Sequence, residues 1–303
     1  MRKILFIYFI FNILFFSAQV KSGGLGSSPT VQNMVTTLKH DTCLNKKFSI
    51  VFYVLQDTTT PPLYAGMATP AALTSMVNNL NAVFKRICVQ FLNCSTVYIP
   101  HHPYNYNWTK NLVDPIVTAN WYTDKTINVY FADFVSGMPA NELVGYAYPP
   151  PTTSTTAAKD VIVLEKAALS NTNAANFVQD NIVHQFGHFF GLPNTFDEIN
   201  PVPPATPPPP VGAISNEFFN RTNCYLHGDG FCDTEADPYP LGVPPPTTVT
   251  PCGHLSGIQD GNTQYYVPPL DNLMSNYGCR CRFSQEQYNY MAYIILTRRF
   301  YLH

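Results

Sequence analysis

Runs of apolar residues in the first half of the chain predict a buried β-sheet. Residues 48–55 form a nearly continuous apolar and β-branched run, which is typical of a strand covered on both faces. Three further strand candidates lie at residues 95–99, 126–132 and 160–164. Helical patterns separate some of these runs, so the N-terminal half is predicted to alternate strands and helices.

Apolar residues at helical spacing predict three helices. Pro70 opens a segment whose apolar positions keep a 3.6-residue period. These positions are Leu73, Met76, Val77, Leu80, Phe84, Ile87 and Phe91. A second helix is predicted over residues 173–190, and a third over residues 285–299, where Ser284 as N-cap and Gln287 form a capping box. The face of the second helix that should pack on the sheet carries Phe177, Ile182, Val183, Phe186 and Phe189.

The N-terminus has the pattern of a secretory signal peptide. Arg2 and Lys3 precede a largely apolar run over residues 4–16, and the small residues Ser17 and Ala18 follow. The alternative is a membrane anchor, but the run is shorter than the roughly 20 residues that span a bilayer. We therefore expect residues 1–18 to be removed and the protein to be secreted or otherwise extracytoplasmic, with no membrane span.

Charge and composition exclude some classes of partner. The net charge is only −2, 12% of the residues are charged, and no basic stripe is present. Nucleic acids and anionic membranes are therefore not expected partners. Hydrophobic residues make up 46% of the chain, which is enough for a large core.

Eight cysteines follow the signal-peptide pattern, so up to four disulfides are expected in an oxidising compartment. Cys88 and Cys94 are close enough in sequence to pair. The spacing leaves the connectivity of the others open. A zinc site that includes Cys279 and Cys281 is an alternative, which their C-x-C spacing supports weakly.

The segment His184-Gln185-Phe186-Gly187-His188 carries the candidate chemistry. Residues four apart share one face of a helix, so both imidazoles can bind one metal ion, as in the HExxH motif of zinc peptidases. Gln185 stands where that motif has its general-base Glu, and an amide cannot take a proton from water.

In the extended motif HExxHxxGxxH, a glycine turn brings a third His to the metal. Here Gly191 is present, but Asn194 holds the third-ligand position, and a neutral amide is a poor zinc ligand. Other candidates for the third ligand are Asp197, His227 and His254.

Two later motifs extend the pattern. One is the GDGFCDT loop at residues 228–234, and the other is Asn272-Leu273-Met274-Ser275-Asn276-Tyr277. Together with the histidine segment, they resemble the pappalysin (cytophagalysin-type) branch of the metzincin metallopeptidases, from residue 48 to the C-terminus. In that branch the second segment is the Met-turn.

The resemblance implies an α+β, metzincin-like fold over residues 19–303. We expect a twisted, mostly parallel sheet with two packed helices in an N-terminal subdomain up to about residue 191. The C-terminal subdomain, residues 192–303, should be irregular and rich in loops, with one terminal helix. The resemblance also implies a disulfide between Cys252 and either Cys279 or Cys281.

The resemblance further implies roles for single residues. Met274 should be the Met-turn methionine, and Asn276 or Tyr277 should lie at the position that stabilises the oxyanion. A structural calcium is expected at Asp229, the carbonyl of Cys232 and Thr234, since hard oxygen ligands suit this ion. The alternative is an Asx-type turn in which the loop aspartates bond backbone N–H groups.

Two functions follow from these residues. The first is a secreted pappalysin-like homologue with impaired or no catalysis, which binds a peptide or protein in its cleft. The second is an active but slow zinc-dependent endopeptidase. A structural or surface-adhesion role is a third alternative. In the first case we expect zinc to be absent or weakly bound.

Overall fold

The computed structural model describes residues 43–56, 67–99, 103–137, 144–151, 159–170, 177–197, 216–238, 258–277 and 279–303. For residues 177–180 it describes the backbone alone. None of the helices in these ranges is long and apolar enough to cross a membrane. The signal-peptide prediction lies outside the described residues.

A five-stranded sheet forms the centre of the molecule, in the order β2-β1-β4-β7-β6. Its strands are β1 (Lys46–Leu55), β2 (Val89–Ile99), β4 (Ile127–Ala132), β6 (Gly145–Ala147) and β7 (Val161–Glu165). All neighbours are parallel except β6, which runs antiparallel to β7. Two short strands, β3 (Trp108–Thr109) and β5 (Val135–Ser136), pair separately.

Four α-helices accompany the sheet in the described ranges. They are α1 (Pro70–Phe84), α2 (Val113–Asn120), α3 (Phe177–Phe189) and α4 (Gln285–Thr297). The mostly parallel sheet with a C-terminal helix confirms the predicted fold class. The capping box at Ser284 and Gln287 is also present, with both reciprocal hydrogen bonds.

Strand β1 shows why the sheet is buried on both faces. Phe48 and Phe52 belong to one core cluster together with residues of α1, α3 and α4. Val51 and Tyr53, which point the other way in a strand, pack with Val113 of α2 in a second cluster. Apolar residues at both odd and even positions therefore find a packed environment.

The predicted first helix is too long, because the helical spacing continues by coincidence into a strand. Helix α1 ends at Phe84, and a short 3-10 turn leads to Cys88, whose φ is +53°. Phe91 lies in β2 and packs edge-on against Phe84 and Phe186. An extended residue thus fills a core position that the periodicity assigned to the helix.

The pairing of Cys88 with Cys94 is wrong. Cys88 forms a disulfide with Cys43, with a Cα–Cα distance of 4.8 Å. Strand β2 begins directly after Cys88 and rises about 3.3 Å per residue. Cys94 is therefore too far along the strand to pair with Cys88, and it is an exposed thiol.

Candidate metal centre

Helix α3 is fixed on the sheet at both ends. The buried side chains of Val183 and Phe186 pack in the main core cluster. Near its start, Asn181 accepts a hydrogen bond from the buried guanidinium of Arg280. At its end, Arg299 donates to the carbonyl of Phe189 over 2.9 Å. A cation at this end of a helix also interacts favourably with its dipole.

Arg299 is itself fully buried, and it joins three parts of the fold. It pairs with Asp160 beside β7 and donates to the carbonyl of Tyr148 over 2.8 Å. Its guanidinium also lies 3.5 Å from the centre of the Phe189 ring. Burial lowers the pKa of Arg299, and the charge of Asp160 opposes this effect. The C-terminal segment therefore secures the end of the site helix.

His184 and His188 have the orientation of two ligands of one metal ion. The Nδ1 of His184 lies 2.8 Å from the carbonyl oxygen of Leu273, and the Nδ1 of His188 lies 2.7 Å from that of Leu192. A carbonyl only accepts, so each Nδ1 carries a proton, and in a neutral ring the Nε2 atom is then an acceptor. Hydrogen bonds of this kind fix the ring orientation of metal-binding histidines.

The two Nε2 atoms face each other at 2.9 Å. At this distance two neutral rings of this tautomer would repel, and either a proton on one Nε2 atom or a metal ion bound by both removes the repulsion. Two nitrogen ligands of a tetrahedral zinc ion, each at about 2.0–2.1 Å, lie about 3.3 Å apart. The pair needs only a small opening to reach that separation, so its geometry fits a metal ion.

The Met-turn lies directly beneath this pair. Met274 is fully buried, and a Cβ atom at Gly187 would lie only 2.5 Å from its sulfur atom. Gly187 thus lets the helix approach the Met-turn between the two histidines. Asn272 orients the turn, since its side chain accepts from the N–H of Met274 and donates to Gln287 at the start of α4. Met274 thus lies against the helix between the two histidines, and its assignment as the Met-turn methionine stays a prediction.

Gln185 follows His184 in the helix, and only 1% of its surface is exposed. This is the place of the general base in HExxH. A buried amide there can donate and accept hydrogen bonds, but it has no basic form at ordinary pH. Gln185 therefore cannot serve as a general base at this position.

Asn194 lies on the loop that follows Gly191, where φ is +92°. Residues on both sides of Asn194 fix the loop. The carbonyl of Leu192 accepts a hydrogen bond from His188, and the N–H of Thr195 donates to the carbonyl of Met274. Asn194 is 3% exposed, and its Oδ1 atom has no hydrogen-bond partner among the described residues. A buried acceptor without a donor is costly, and a cation would satisfy it.

Asp197 and His227, the described candidates for a third ligand, form no three-residue metal-binding group with the pair. No group of three His, Cys, Asp or Glu side chains in the described ranges could hold a metal ion. Asp197 instead accepts hydrogen bonds from Asn194. His227 is buried in the segment that precedes the GDGFCDT loop, and His254 lies outside the described residues. Among the described residues, His184 and His188 have a geometry that fits a metal ion, and Asn194 offers a buried oxygen acceptor on the loop that follows them.

The two candidates for the oxyanion position are both buried after the Met-turn. The hydroxyl of Tyr277 donates to Asp237 over 3.0 Å, and the Thr195 hydroxyl donates to the same carboxylate over 2.5 Å. Tyr277 also packs with Phe196 in a small separate cluster. Its hydroxyl thus braces the loop after Asn194. No sequence motif marks the role of Asp237, because its hydrogen bond with Tyr277 spans 40 residues.

The loop at residues 228–234 forms the Asx-type turn of the alternative interpretation. Asp229 accepts from the N–H of Phe231 and from the Thr234 hydroxyl, both at 2.9 Å. Burial raises the pKa of Asp229 well above its usual range, and the nearby Asp233 and Asp237 add to the effect. A carboxyl group in these surroundings favours its neutral form.

The residues present do not fit a calcium ion at the expected position. The guanidinium Nη1 of Arg221 lies 3.3 Å from the carbonyl oxygen of Cys232 and 3.5 Å from that of Thr234. An ion bound to these oxygens at about 2.3–2.6 Å would lie close to a positive charge. Arg221 has a positive φ of 59°, a conformation that is uncommon for this residue type.

Further contacts bind the loop to the terminal helix. The N–H of Cys232 donates to Glu286 over 2.7 Å, and the N–H of Glu286 donates to Asp233 over 2.8 Å. A disulfide joins Cys224 and Cys232, and Cys279 is also disulfide-bonded. Cys252, its expected partner, lies outside the described residues.

Comparison with known proteins identifies the fold through solved structures, whereas the sequence comparisons find no match. No protein-family model matches the chain, and no curated protein sequence is similar to it. Among solved structures, a variant of Tannerella forsythia promirolysin has a TM-score of 0.54 and 15% identity, and the match covers 91% of this chain and 92% of that one.

Two further structures of mirolysin, one of which is the mature form, are similar to a comparable extent. The one with a cleaved peptide has a TM-score of 0.50 and 14% identity, with coverage of 81% of this chain and 89% of that chain. The one with a compound has a TM-score of 0.50 and 13% identity, with coverage of 84% and 95%. The chain thus has the metzincin-type fold of these metallopeptidases, whereas its relation to the pappalysin branch stays a prediction.

Proposed function

We propose that the protein is an exported, pappalysin-like member of the metallopeptidase fold that binds a peptide or protein and cleaves it slowly or not at all. One observation carries this proposal: Gln185 is buried at the position of the general base, beside two histidines that retain the orientation of metal ligands. The scaffold of the site is present and the proton acceptor is not.

The expected loss of rate is large. His184, His188 and Asn194 would hold zinc, which when bound activates water and polarises the peptide carbonyl. Without a general base the rate falls by about 10²-fold to 10⁴-fold. The hydroxyl of Tyr277 donates its hydrogen bond to Asp237. The loss of an oxyanion donor lowers the rate by about a further 10²-fold to 10³-fold.

The affinity for zinc should also be low. Catalytic zinc sites use three ligands drawn from His, carboxylate and Cys, whereas the amide of Asn194 is neutral. We expect zinc to be absent from the purified protein or to bind with micromolar or weaker affinity. Imidazole ligands also suit copper, so copper could bind the same pair.

Three observations support an exported peptide-binding protein. Among the described strands, β6 is at one end of the sheet, where an extended peptide can add by backbone hydrogen bonds. The similar fold of mirolysin is known in complex with a cleaved peptide. The disulfides at Cys43–Cys88 and Cys224–Cys232 are consistent with an oxidising, extracytoplasmic compartment.

The alternative function is a slow zinc-dependent endopeptidase, and the intact geometry of the histidine pair favours it. Casein and gelatin cleavage by the mature protein, with and without added zinc, decides between the two. The matched variants are Gln185→Glu, Asn194→His and the double change. We expect little cleavage by the wild type and by either single variant, and measurable cleavage by the double variant.

The double variant is informative because its two changes depend on each other. The new carboxylate can take a proton from the attacking water only where the metal is firmly held. If the wild type shows zinc-dependent cleavage and His184→Ala abolishes it, the proposal that catalysis is impaired is wrong. A double variant that binds zinc and cleaves nothing would mean that the cleft has changed beyond the lost residues.

A further inference from the structure

Asp197 determines which atom of the Asn194 side-chain amide, Oδ1 or Nδ2, is left for another partner. One oxygen of Asp197, Oδ2, accepts hydrogen bonds from the backbone N–H of Asn194 over 3.0 Å and from its side-chain Nδ2 over 3.2 Å. The N–H of Asp197 in turn donates to the carbonyl of Asn194 over 3.1 Å. Three hydrogen bonds thus close a tight turn around the amide.

The carboxylate imposes a direction on this amide. If the amide were reversed, its oxygen would lie against a carboxylate oxygen, and two acceptors repel. The Nδ2 atom of Asn194 therefore faces Asp197, and Oδ1 is the atom left for another partner. It is buried and has no hydrogen-bond donor among the described residues.

The same loop is fixed to the histidine pair. The carbonyl of Leu192 accepts from His188, and the carbonyl of Leu273, next to Met274, accepts from His184. The N–H of Thr195 donates to Met274. Asn194 is thus held on a loop that shares its anchoring points with both histidines.

We propose that Asp197 is a positioning residue that presents Asn194 Oδ1 as the third ligand of a divalent metal ion beside His184 and His188. The inference rests on the metal-binding part of the proposed function. Asp197 would act through the amide as a carboxylate acts through a metal-binding histidine: it fixes the orientation and increases the electron density on the ligand atom.

The charge of Asp197 has a second consequence. Two neutral imidazoles and a neutral amide leave the charge of a divalent ion uncompensated. A carboxylate directly behind the amide supplies negative charge without touching the ion. The site should therefore bind a metal more tightly than its three neutral ligands suggest, and this gain should depend on Asp197.

The test is a titration of the metal-free mature protein with Co²⁺, whose visible absorption reports the ligands independently of any cleavage. We expect Asp197→Ala to weaken Co²⁺ binding by about 10-fold to 100-fold, the usual cost of losing a group that orients a ligand. Asn194→Ala should cost at least as much, and the double variant should lose no more than Asn194→Ala alone.

Two variants separate positioning from folding. Asp197→Asn keeps an oxygen that accepts both bonds, so binding should weaken by less than about tenfold. Asn194→Asp combined with Asp197→Asn exchanges the amide and the carboxylate. It should bind Co²⁺ at least about tenfold more tightly than the wild type, because a carboxylate then reaches the ion. Asp271→Ala, which removes an exposed carboxylate, is the matched control and should bind like the wild type.

The possible outcomes are distinct. Equal Co²⁺ affinity of Asp197→Ala and Asp271→Ala would overturn the role of Asp197. If Asn194→Ala binds Co²⁺ as tightly as the wild type, Asn194 is not a ligand of the metal ion. If the wild type binds no Co²⁺ in a manner that depends on His184, the metal site fails together with the inference. Binding of a peptide in the cleft is measured separately and can succeed or fail without changing these results.

Discussion

The histidine pair on α3 and the GDGFCDT loop at residues 228–234 both resemble cation sites, and they differ in what fills the place of the cation. At the pair, two acceptor nitrogens lie 2.9 Å apart, and Asn194 Oδ1 is buried without a donor. At the loop, Arg221 already supplies a positive charge to the carbonyls of Cys232 and Thr234.

The difference shows that the two places are stabilised by different means. Arg221, the turn of Asp229 and the contacts with Glu286 satisfy several polar groups of the loop, whereas the buried Asp233 Oδ1 has no hydrogen-bond partner among the described residues. The histidine pair is oriented by the carbonyls of Leu273 and Leu192 and lies above Met274. The facing arrangement of the two imidazoles therefore does not depend on a carboxylate at position 185.

The largest effect should come from removal of the Met-turn side chain. Met274→Ala should lower the free energy of unfolding by about 2–5 kcal/mol, because it deletes a fully buried side chain beneath the helix. Met76→Ala, in the core at α1, is the matched control and should cost a similar amount. Urea unfolding gives the stability, and Co²⁺ titration gives the affinity.

Only Met274→Ala should also weaken metal binding, since Met274 supports Gly187 between the histidines. Equal loss of Co²⁺ affinity in both methionine variants would mean that general destabilisation explains the effect. Full affinity in Met274→Ala would show that the Met-turn does not shape the pair.

A smaller effect is expected from Arg221→Gln. Hydrogen bonds from a charged donor are worth about 1.5–3 kcal/mol when well made, and the bonds of the half-buried Arg221 are long, so we expect a loss of about 1–2 kcal/mol. Arg282→Gln removes an exposed guanidinium paired with Asp271 and should change stability by less than about 1 kcal/mol. Thermal unfolding in calcium and in a calcium chelator measures both variants and the wild type.

The wild type should unfold at the same temperature in calcium and in the chelator. An ion that binds only the folded state must raise the unfolding temperature as its concentration increases. A rise of this kind in the wild type would contradict the replacement of calcium by Arg221. A calcium-dependent rise confined to Arg221→Gln would show that the guanidinium blocks an otherwise usable site.

The sequence predicted the elements whose signals are local. Residues 48–55 are apolar at both odd and even positions because the strand is covered on both faces. Ser284 is the N-cap of its helix and forms the expected capping box. His184 and His188 share a face because four residues make about one helical turn. Short elements such as α2 and β6 carry too few residues to produce a recognisable period.

The remaining features depend on contacts between distant parts of the chain. Cys43 and Cys88 pair across 45 residues, and Arg280 reaches Asn181 across 99 residues. Arg221 is close to the loop in sequence, but its role depends on a backbone turn that no motif marks. Asp197 was predicted as a metal ligand, and its place beside the amide of Asn194 became visible only with the loop folded.

The smallest effect should come from Asp229→Asn, which separates an Asx-type turn from a calcium ligand. The new amide oxygen can still accept from Phe231 and Thr234. Because burial raises the pKa of Asp229, the folded state holds a proton that the unfolded state releases above about pH 4. Wild-type stability should therefore decline as pH rises from there towards the raised pKa, and Asp229→Asn should lack this part of the decline. At low pH the two proteins should be equally stable, and near pH 7 the variant should be as stable as the wild type or slightly more stable. Urea unfolding between pH 4 and pH 8 measures the difference. A variant that is clearly less stable near pH 7, and only when calcium is present, would restore Asp229 as a calcium ligand.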